Sequence, residues 1–216
     1  MRRRFQRARK PEEKEIRRPA ILKGARKLLG EVGTNELSLS DLARRSGVSK
    51  PNIYRYFESR EEVLLQVWVE EVRDLSERLQ AAFGTIAVGD ADAVAEGMVA
   101  AFEAQPKLCE LTSIVSPVLE RSLSAEAIIG AKQTLATLTV HVGQLLRERL
   151  PSLSIEDCAW VVGAAAVYVA GVWPAVNPPP AAIEALSRPE LAAMQPVFKR
   201  DFTRFLKVVF AGLARV

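Results

Sequence analysis

The chain has 216 residues, of which 49% are hydrophobic and 26% are charged, a composition that supports a sizeable core and excludes a disordered chain. Two cysteines, Cys109 and Cys158, exclude a disulfide framework and a four-cysteine zinc site, and the single histidine, His141, argues against His-rich metal centres and most Ser-His or Cys-His catalytic schemes. The first 60 residues carry 17 Lys and Arg against 7 Asp and Glu, a net charge of +10, whereas residues 61–216 carry 13 against 19, a net charge of −6. A basic N-terminal quarter on an acidic remainder indicates an electrostatic footprint for nucleic acid.

Residues 1–13 carry a dense set of arginines and lysines, and no apolar run follows them. A secretory signal needs an apolar run of about 7–15 residues, so we exclude one. We interpret residues 1–13 as a basic arm that is flexible when free. Two roles stay open for it: contact with the phosphates or the minor groove of DNA, or a solvated tail that aids solubility.

Helical periodicity dominates the rest of the chain, and no segment shows the sustained alternation or the hairpin turns of β-strands. Apolar side chains recur at intervals of three and four residues from Ile16 to Val32, and Gly33 follows as a C-terminal stop. The sequence therefore predicts an all-α protein whose first helix ends at Gly33.

Two short helices are predicted next, over residues 39–45 and about 50–57. Ser38 and Ser49 are their expected N-caps, because a serine hydroxyl accepts a hydrogen bond from a free N–H group of the first turn. Gly47 suits the turn between them, since glycine adopts positive φ without a Cβ clash. Two short helices joined in this way are typical of a helix-turn-helix. Its expected core comprises Leu39 or Leu42, Ala43, Val48 and Ile53.

The second of these helices carries polar and aromatic residues around its start and its outside, namely Lys50, Pro51, Asn52, Tyr54, Arg55 and Tyr56. A recognition helix places its N-terminal residues against base edges in the major groove of DNA. Lys50 can reach guanine O6 and N7, and Asn52 can pair with adenine. Tyr54 and Tyr56 can bond phosphate and press on sugar or a thymine methyl group, or they merely fill out the small domain. The segment predicts binding to double-stranded DNA.

Longer helices are predicted in the remainder of the chain. Residues 59–62 form a capping box that opens a long helix, whose apolar stripe runs from Leu64 to Phe83 before Gly84. Further helices are expected near 91–104, 106–115, 124–149, 154–176 and 197–213, with short helical pieces between 180 and 195.

Residues 14–70 resemble the TetR family of bacterial transcriptional regulators. The resemblance is carried by the helix end 28–33, by Leu42-Ala43, Gly47-Val48-Ser49, Tyr54, Tyr56-Phe57, and by Ser59-Arg60-Glu61 with Leu64. Pro51 departs from the many members that have Gly, Ala or Ser there, so the base preference of that first turn does not carry over.

The resemblance implies a homodimer with a palindromic operator, a three-helix helix-turn-helix domain over residues 14–59, and a larger helical ligand-binding and dimerisation domain over residues 60–216. Members usually repress transcription and are usually released by a small molecule; activation stays open. By position, the family's DNA contacts fall on Ser40, Ser49, Lys50, Pro51, Asn52, Tyr54, Arg55, Tyr56 and Arg60.

No charged residue stands between Asp157 and Glu184, so this segment is long enough to test as a membrane span. Pro174 and the run 177–180 interrupt it, and no cluster of Lys or Arg flanks it. We interpret it as a helix buried on most sides, outside any membrane. With the last helix, whose expected apolar face runs through Phe198, Phe202, Phe205, Val209, Phe210 and Leu213, it could form a four-helix dimer interface, as the resemblance implies. The alternative is that both helices are ordinary core.

A ligand pocket is expected between the middle helices, because ligand sites are mostly apolar with a few placed polar groups. The candidates to line it are Phe102, Cys109, Thr137, His141, Trp160 and Tyr168. Core or surface positions are the alternative for His141, and core or interface positions for Trp160 and Tyr168. The scarcity of acidic residues there favours a neutral or anionic apolar ligand. A ligand that favours one tilt of the helix over residues 60–83 would change the distance between two recognition helices.

Two other functional classes compete with this interpretation. A helical enzyme would need a carboxylate pair or an activated Cys109, and a membrane-associated protein would rest on the uncharged run. The preferred hypothesis is a cytoplasmic, dimeric, ligand-responsive repressor that is no enzyme and uses no cofactor or metal. The low cysteine content agrees with a reducing cytoplasm.

Overall fold

The structure is a computed structural model that describes the backbone of residues 11–215 and the side chains of residues 18–215 apart from Asn35. Within this range the secondary structure is helical, as the sequence predicts, and no strand occurs. The helices are α1 (Pro11–Glu36), α2 (Leu39–Ser46), α3 (Lys50–Ile53), α4 (Arg60–Phe83), α5 (Ala91–Glu103), α6 (Pro106–Ile114), α7 (Ala125–Arg149), α8 (Ile155–Val176), α9 (Pro180–Leu186) and α10 (Phe198–Leu213). A π-helical turn (Val115–Leu119) and two 3₁₀ turns (Glu120–Ser122 and Ala192–Met194) complete it.

Serine N-caps begin four of these helices, which explains why their starts follow from the sequence. At the start of α4, Ser59 accepts a hydrogen bond from the backbone N–H of Glu62 at 3.1 Å. Ser38 accepts a hydrogen bond from the backbone N–H of Asp41 at 3.1 Å, and Ser154 does the same for Asp157 at 3.0 Å. Ser124 caps α7 in this way. Each hydroxyl satisfies an N–H group that has no partner inside its helix.

The predicted stop at Gly33 is confirmed, because Gly33 has φ 77° and ψ 173° and breaks the helical path before Glu36. The predicted extent of the third helix is wrong: α3 ends at Ile53 rather than at Phe57. Beyond Ile53 the chain turns through i→i+3 hydrogen bonds, from Arg55 N–H to Asn52 at 3.1 Å and from Tyr56 N–H to Ile53 at 2.9 Å. Ser49 begins α3, but its side chain makes no capping bond.

The described residues up to Val67 form one compact unit and those from Trp68 form a second. The boundary therefore lies inside α4, whereas the sequence suggests a domain boundary before Arg60. In the first unit, the buried side chains come from all four helices and from the turn after α3. They include Ile21, Leu28, Leu39, Leu42, Ile53, Phe57 and Leu64. Both Leu39 and Leu42 are buried, while Ala43 and Val48 are only half-buried.

An aromatic cluster organises the second unit. Phe202 of α10 is fully buried and packs edge-on against Phe102 of α5, with ring centroids 5.5 Å apart. Tyr168 of α8 stacks on Phe202 and on Phe205, at 5.0 Å and 4.5 Å. Much of the predicted apolar face of α10 is therefore core within one chain.

The expectation that α8 is buried on most sides is wrong. Its buried residues are Cys158, Val161, Ala165 and Val169. On another face of the helix, Trp160 is 58% exposed and Val167 is 74% exposed. Among the described residues, α8 is the one helix long and apolar enough to cross a membrane, a test that apolar helices of soluble proteins also pass.

Candidate nucleic-acid interface and ligand cavity

A tight turn orients the short helix α3 in the first unit. Gly47 ends α2 with φ 66° and ψ 14°, the left-handed conformation that favours glycine. Residues 48 and 49 then lead directly into α3, and Pro51 occupies its first turn, where a missing N–H group costs no helical bond. Ile53 is fully buried, so it anchors α3 by one side and leaves the opposite side exposed.

α3 and the residues that directly flank it carry most of the predicted DNA contacts. The exposed members of that set are Ser40, Ser49, Lys50, Pro51, Tyr54 and Arg55, and the half-buried ones are Asn52, Tyr56 and Arg60. Tyr54 is 52% exposed, a high fraction for a large aromatic side chain. Lys50 Nζ donates a hydrogen bond to Ser40 Oγ at 3.2 Å, which brings predicted contacts from α2 and α3 together. The fold thus brings residues that are distant in the sequence together on one surface.

The charges on this surface divide into paired and unpaired cations. Arg44 donates to Asp41 at 2.7 Å, and Arg45 donates to Glu31 at 2.7 Å. The hydrogen bond from Ser38, together with Arg44, lowers the pKa of the Asp41 carboxyl below its usual value. Lys50 and Arg55 form no ion pair within the described residues. These two cations are therefore available to phosphates or bases.

Arg60 has hydrogen-bond partners that the sequence could not show. Its Nε donates to the carbonyl oxygen of Leu37 at 2.7 Å, and one terminal nitrogen donates to the carbonyl of Thr34. The other terminal nitrogen donates to Glu61 at 3.1 Å. From the start of α4, the guanidinium therefore holds the backbone link between α1 and α2 in place. Arg60 thus has a structural role in addition to its predicted contact with DNA.

A cavity of about 50 Å³ lies inside the second unit. The residues that line it are Val72, Leu75, Ser76 and Leu79 of α4, Met98 and Phe102 of α5, Leu138, Thr139 and Val142 of α7, and Val162 and Ala165 of α8. Its half-buried members, Val72, Leu138, Thr139 and Val162, mark the side where the cavity meets the surface. The cavity is apolar with two hydroxyl groups, the general make-up of a small-molecule site.

Of the six residues predicted to line a pocket, Phe102 alone lies on the wall of this cavity. Thr137 is exposed, with its hydroxyl bonded to the carbonyl of Gln133, because the inner side of α7 is formed by Leu138, Thr139 and Val142. His141 precedes Val142 and is half-buried off the wall. Trp160 faces outward, and Tyr168 is held in the aromatic cluster. These four residues therefore do not line this cavity.

Cys109 is also off the wall, fully buried with its Sγ 3.5 Å from the carbonyl of Phe102. Burial raises the pKa of the Cys109 thiol to about 12. A catalytic cysteine requires the opposite shift, toward thiolate at neutral pH. The buried Cys109 thiol is therefore unsuited to be the nucleophile of the enzyme hypothesis.

Sequence reasoning missed most of the wall for one reason. The apolar stripe predicted for the helix over residues 60–83 includes Val72, Leu75 and Leu79. Such a stripe does not show which of its residues line a cavity and which pack in the core. Ser76 lies between two of them, and its position on the stripe is the signal that could have identified it.

Comparison with known proteins agrees with both units. The family model "Bacterial regulatory proteins, tetR family" matches residues 21–67, and the model "Tetracyclin repressor-like, C-terminal domain" matches residues 68–216. The chain is 38% identical over 79 residues to the HTH-type transcriptional regulator EthR of Mycobacterium tuberculosis, which covers 37% of this chain and 35% of EthR. It thus spans about a third of the length of the curated relatives that it matches.

Solved structures extend the likeness in fold to nearly the whole chain. A transcriptional regulator from Rhodococcus sp. RHA1 superposes with a TM-score of 0.63 at 16% identity, covering 91% of this chain and 94% of the other. The TetR family repressor AlkX from Dietzia superposes with a TM-score of 0.60 at 13% identity, covering 92% and 96%. With family models matched in both units, the chain belongs to the TetR family of bacterial transcriptional regulators.

Proposed function

We propose that this protein is a homodimeric repressor of transcription in the cytoplasm, which binds a palindromic operator in double-stranded DNA and is released by a small apolar molecule. The observation that carries the proposal is the exposed first turn of α3, set by Gly47 and anchored by Ile53. A recognition helix presented in this way reads base edges through its N-terminal residues.

Within that interface, Lys50 and Asn52 are the proposed base contacts, to guanine and adenine respectively. Tyr54 and Arg55 are the proposed phosphate contacts, and Ser40, Ser49, Pro51 and Tyr56 border them. Lys50 supports this assignment because it is exposed, belongs to the first turn of α3 and is held beside Ser40.

The proposed dimer interface combines the exposed faces of α8 and α10. Trp160 and Val167 on α8 and Val208 on α10, which is 64% exposed, are large apolar side chains in solvent. The exposed glycines Gly163 and Gly171 on the same side of α8 would let a partner helix approach closely. A second copy of the chain is the occupant that fits, because operators with two half-sites are read by symmetric dimers.

The proposed effector site is the cavity in the second unit. Val72, Leu75, Ser76 and Leu79 of α4 line it, and the same helix begins at Arg60 in the first unit. A ligand that favours one arrangement of α4 would shift the protein between states with different operator affinity. Such regulation requires that the ligand bind the two states with different affinity.

The test is selection from random duplex DNA by the purified full chain, at low and at moderate salt. We expect an enriched palindrome whose half-site centres are about one helical turn apart. Binding without any enriched sequence, and lost steeply as salt rises, would show only the attraction of a basic surface for phosphates and would contradict the proposal. A reporter placed behind the selected operator then distinguishes repression from activation.

A further inference from the structure

The two hydroxyl groups on the cavity wall differ from several other helical hydroxyls in the protein. A serine or threonine inside a helix often donates to the carbonyl one turn earlier. Ser46, Thr112 and Thr134 do so, at 2.7, 2.7 and 3.1 Å. The side-chain hydroxyls of Ser76 and Thr139 form no hydrogen bond with any residue in the described part of the chain.

Ser76 is the more informative of the two, because it is only 3% exposed. Buried polar groups in proteins nearly always have a hydrogen-bond partner, and the Ser76 hydroxyl is not among the fully enclosed side-chain atoms that lack one. As a wall residue, Ser76 has the cavity as its remaining source of a partner. Thr139 is half-buried on the side where the cavity meets the surface.

Charge is absent from the wall, since each of its members is apolar apart from the two hydroxyls. Moving an ion into such a space without a counter-charge costs several kcal/mol. A carboxylate or an ammonium group would therefore be excluded from the interior. The sequence leaves an anionic ligand open, but no cationic side chain lines this cavity to bind an anion.

We propose that the effector is an uncharged, mainly apolar molecule with at least one hydroxyl or carbonyl group, which exchanges hydrogen bonds with Ser76 and Thr139. This assignment rests on the proposed function, and it names the chemistry of that same site. The apolar wall binds the body of the molecule, and the two hydroxyls select its polar group.

The size of the cavity adds a condition on how such a molecule enters. An engineered dry cavity of about 150 Å³ admits benzene, three times the volume of about 50 Å³ found here. A molecule of more than a few heavy atoms must therefore widen the space. Met98, whose unbranched side chain adapts its shape, and half-buried Leu138 are the wall residues best able to move.

The experiment compares three probes with the same six-carbon chain and different charge: hexan-1-ol, hexanoate and hexylammonium. Binding to the full-length protein is measured at pH 7 by titration calorimetry and by the rise in melting temperature. We expect hexan-1-ol to bind at least about 100-fold more tightly than either ion, because each ion would be buried without a partner.

The two hydroxyls are tested by Ser76→Ala and Thr139→Ala. Each change should weaken hexan-1-ol about fivefold, the effect of one lost hydrogen bond. Thr134→Ala is the matched control on α7, because the Thr134 hydroxyl is already bonded to Gly130 and does not line the cavity. It should leave the affinity for hexan-1-ol unchanged.

Tighter binding of hexanoate or hexylammonium, no binding of hexan-1-ol to the unmodified protein, or equal effects of all three substitutions would each overturn this ligand class. Binding to the selected operator is measured in parallel without any probe. Operator binding that persists while hexan-1-ol fails leaves the proposed function standing and rejects the ligand class alone. Loss of operator binding with intact probe selectivity rejects the function instead.

Discussion

At the scale of single residues, Gly47 is the position where backbone geometry decides the site. Its φ of 66° lies in the left-handed region, and an added Cβ would meet nothing within 4 Å. Any substitution is therefore penalised by conformation rather than by crowding. The turn that orients α3 therefore depends on a glycine at position 47.

We expect Gly47→Ala to lower the free energy of unfolding by about 1–2 kcal/mol, the cost of a left-handed alanine. Urea unfolding followed by circular dichroism measures it. Gly130→Ala is the control: Gly130 is exposed within α7 and has equal space, so the change should raise stability by about 0.5–1 kcal/mol. Two shifts of the same sign would contradict the conformational argument.

Arg60 provides a second test at this scale, because it has both a predicted role at DNA and observed bonds to backbone carbonyls. A lysine keeps the charge but cannot donate to Leu37 and Thr34 from a planar fork. We expect Arg60→Lys to destabilise the fold by about 1–3 kcal/mol and to leave the salt dependence of DNA binding unchanged.

The salt dependence of Arg60→Gln decides between the two roles. If Arg60 neutralises a phosphate, the slope of log affinity against log salt falls by about 0.9 in magnitude. If Arg60 only positions the link between α1 and α2, the slope of Arg60→Gln equals that of the unmodified protein. The measurement is fluorescence anisotropy on the selected operator at several salt concentrations.

At the scale of elements, the exposed face of α8 makes the clearest prediction. A carboxylate at position 167, where the side chain is 74% exposed, would be tolerated in a monomer and buried without a partner in the proposed dimer. We expect Val167→Glu to weaken dimerisation at least about 100-fold in analytical ultracentrifugation.

Val118→Glu serves as the control for that experiment, since Val118 is also exposed but lies in the π-helical turn. It should leave the sedimentation coefficient of the dimer unchanged. A monomeric unmodified protein would contradict the dimer, and recovery of the protein only in a membrane fraction would assign the α8 face to lipid instead.

Several starts and ends of helices could be predicted from the sequence because local chemistry determines them, although the end of α3 could not. The hydroxyl of Ser38 accepts an N–H group three residues away, and Gly33 and Gly47 end their helices through their own backbone angles. None of these features depends on distant parts of the chain. The family resemblance of residues 14–70 has the same local origin.

The side of each helix that faces the core could not be predicted equally well. α8 has so few charged residues that no polar face marks its outside, and tertiary packing alone buries Val161 while exposing Trp160. On α7, one step of about 100° separates exposed Thr137 from the wall residue Leu138. The same step separates His141, also off the wall, from the wall residue Val142.

At the scale of the whole molecule, the distribution of charge predicts how DNA binding responds to salt. The net charge of +10 on residues 1–60 and −6 on the remainder directs phosphates toward one part of the chain. The predicted basic arm over residues 1–13 lies largely outside the described residues, so its role stays a prediction.

We expect joint substitution of Arg2, Arg3 and Arg4 by glutamine to reduce the magnitude of the salt slope by about 0.9 for each phosphate that these residues contact. Anisotropy titrations on the selected operator measure it. An unchanged slope with unchanged solubility would contradict the arm's role at DNA, whereas lower solubility with an unchanged slope would favour the solvated tail.

The void in the second unit also makes the protein sensitive to hydrostatic pressure. Unfolding lets water occupy space that the folded chain leaves empty, so the unfolded state has the smaller volume. A cavity of about 50 Å³ corresponds to about 30 mL/mol, within the usual range of unfolding volumes. An effector that fills the cavity reduces this difference, so the pressure at which the protein unfolds should rise as the effector binds.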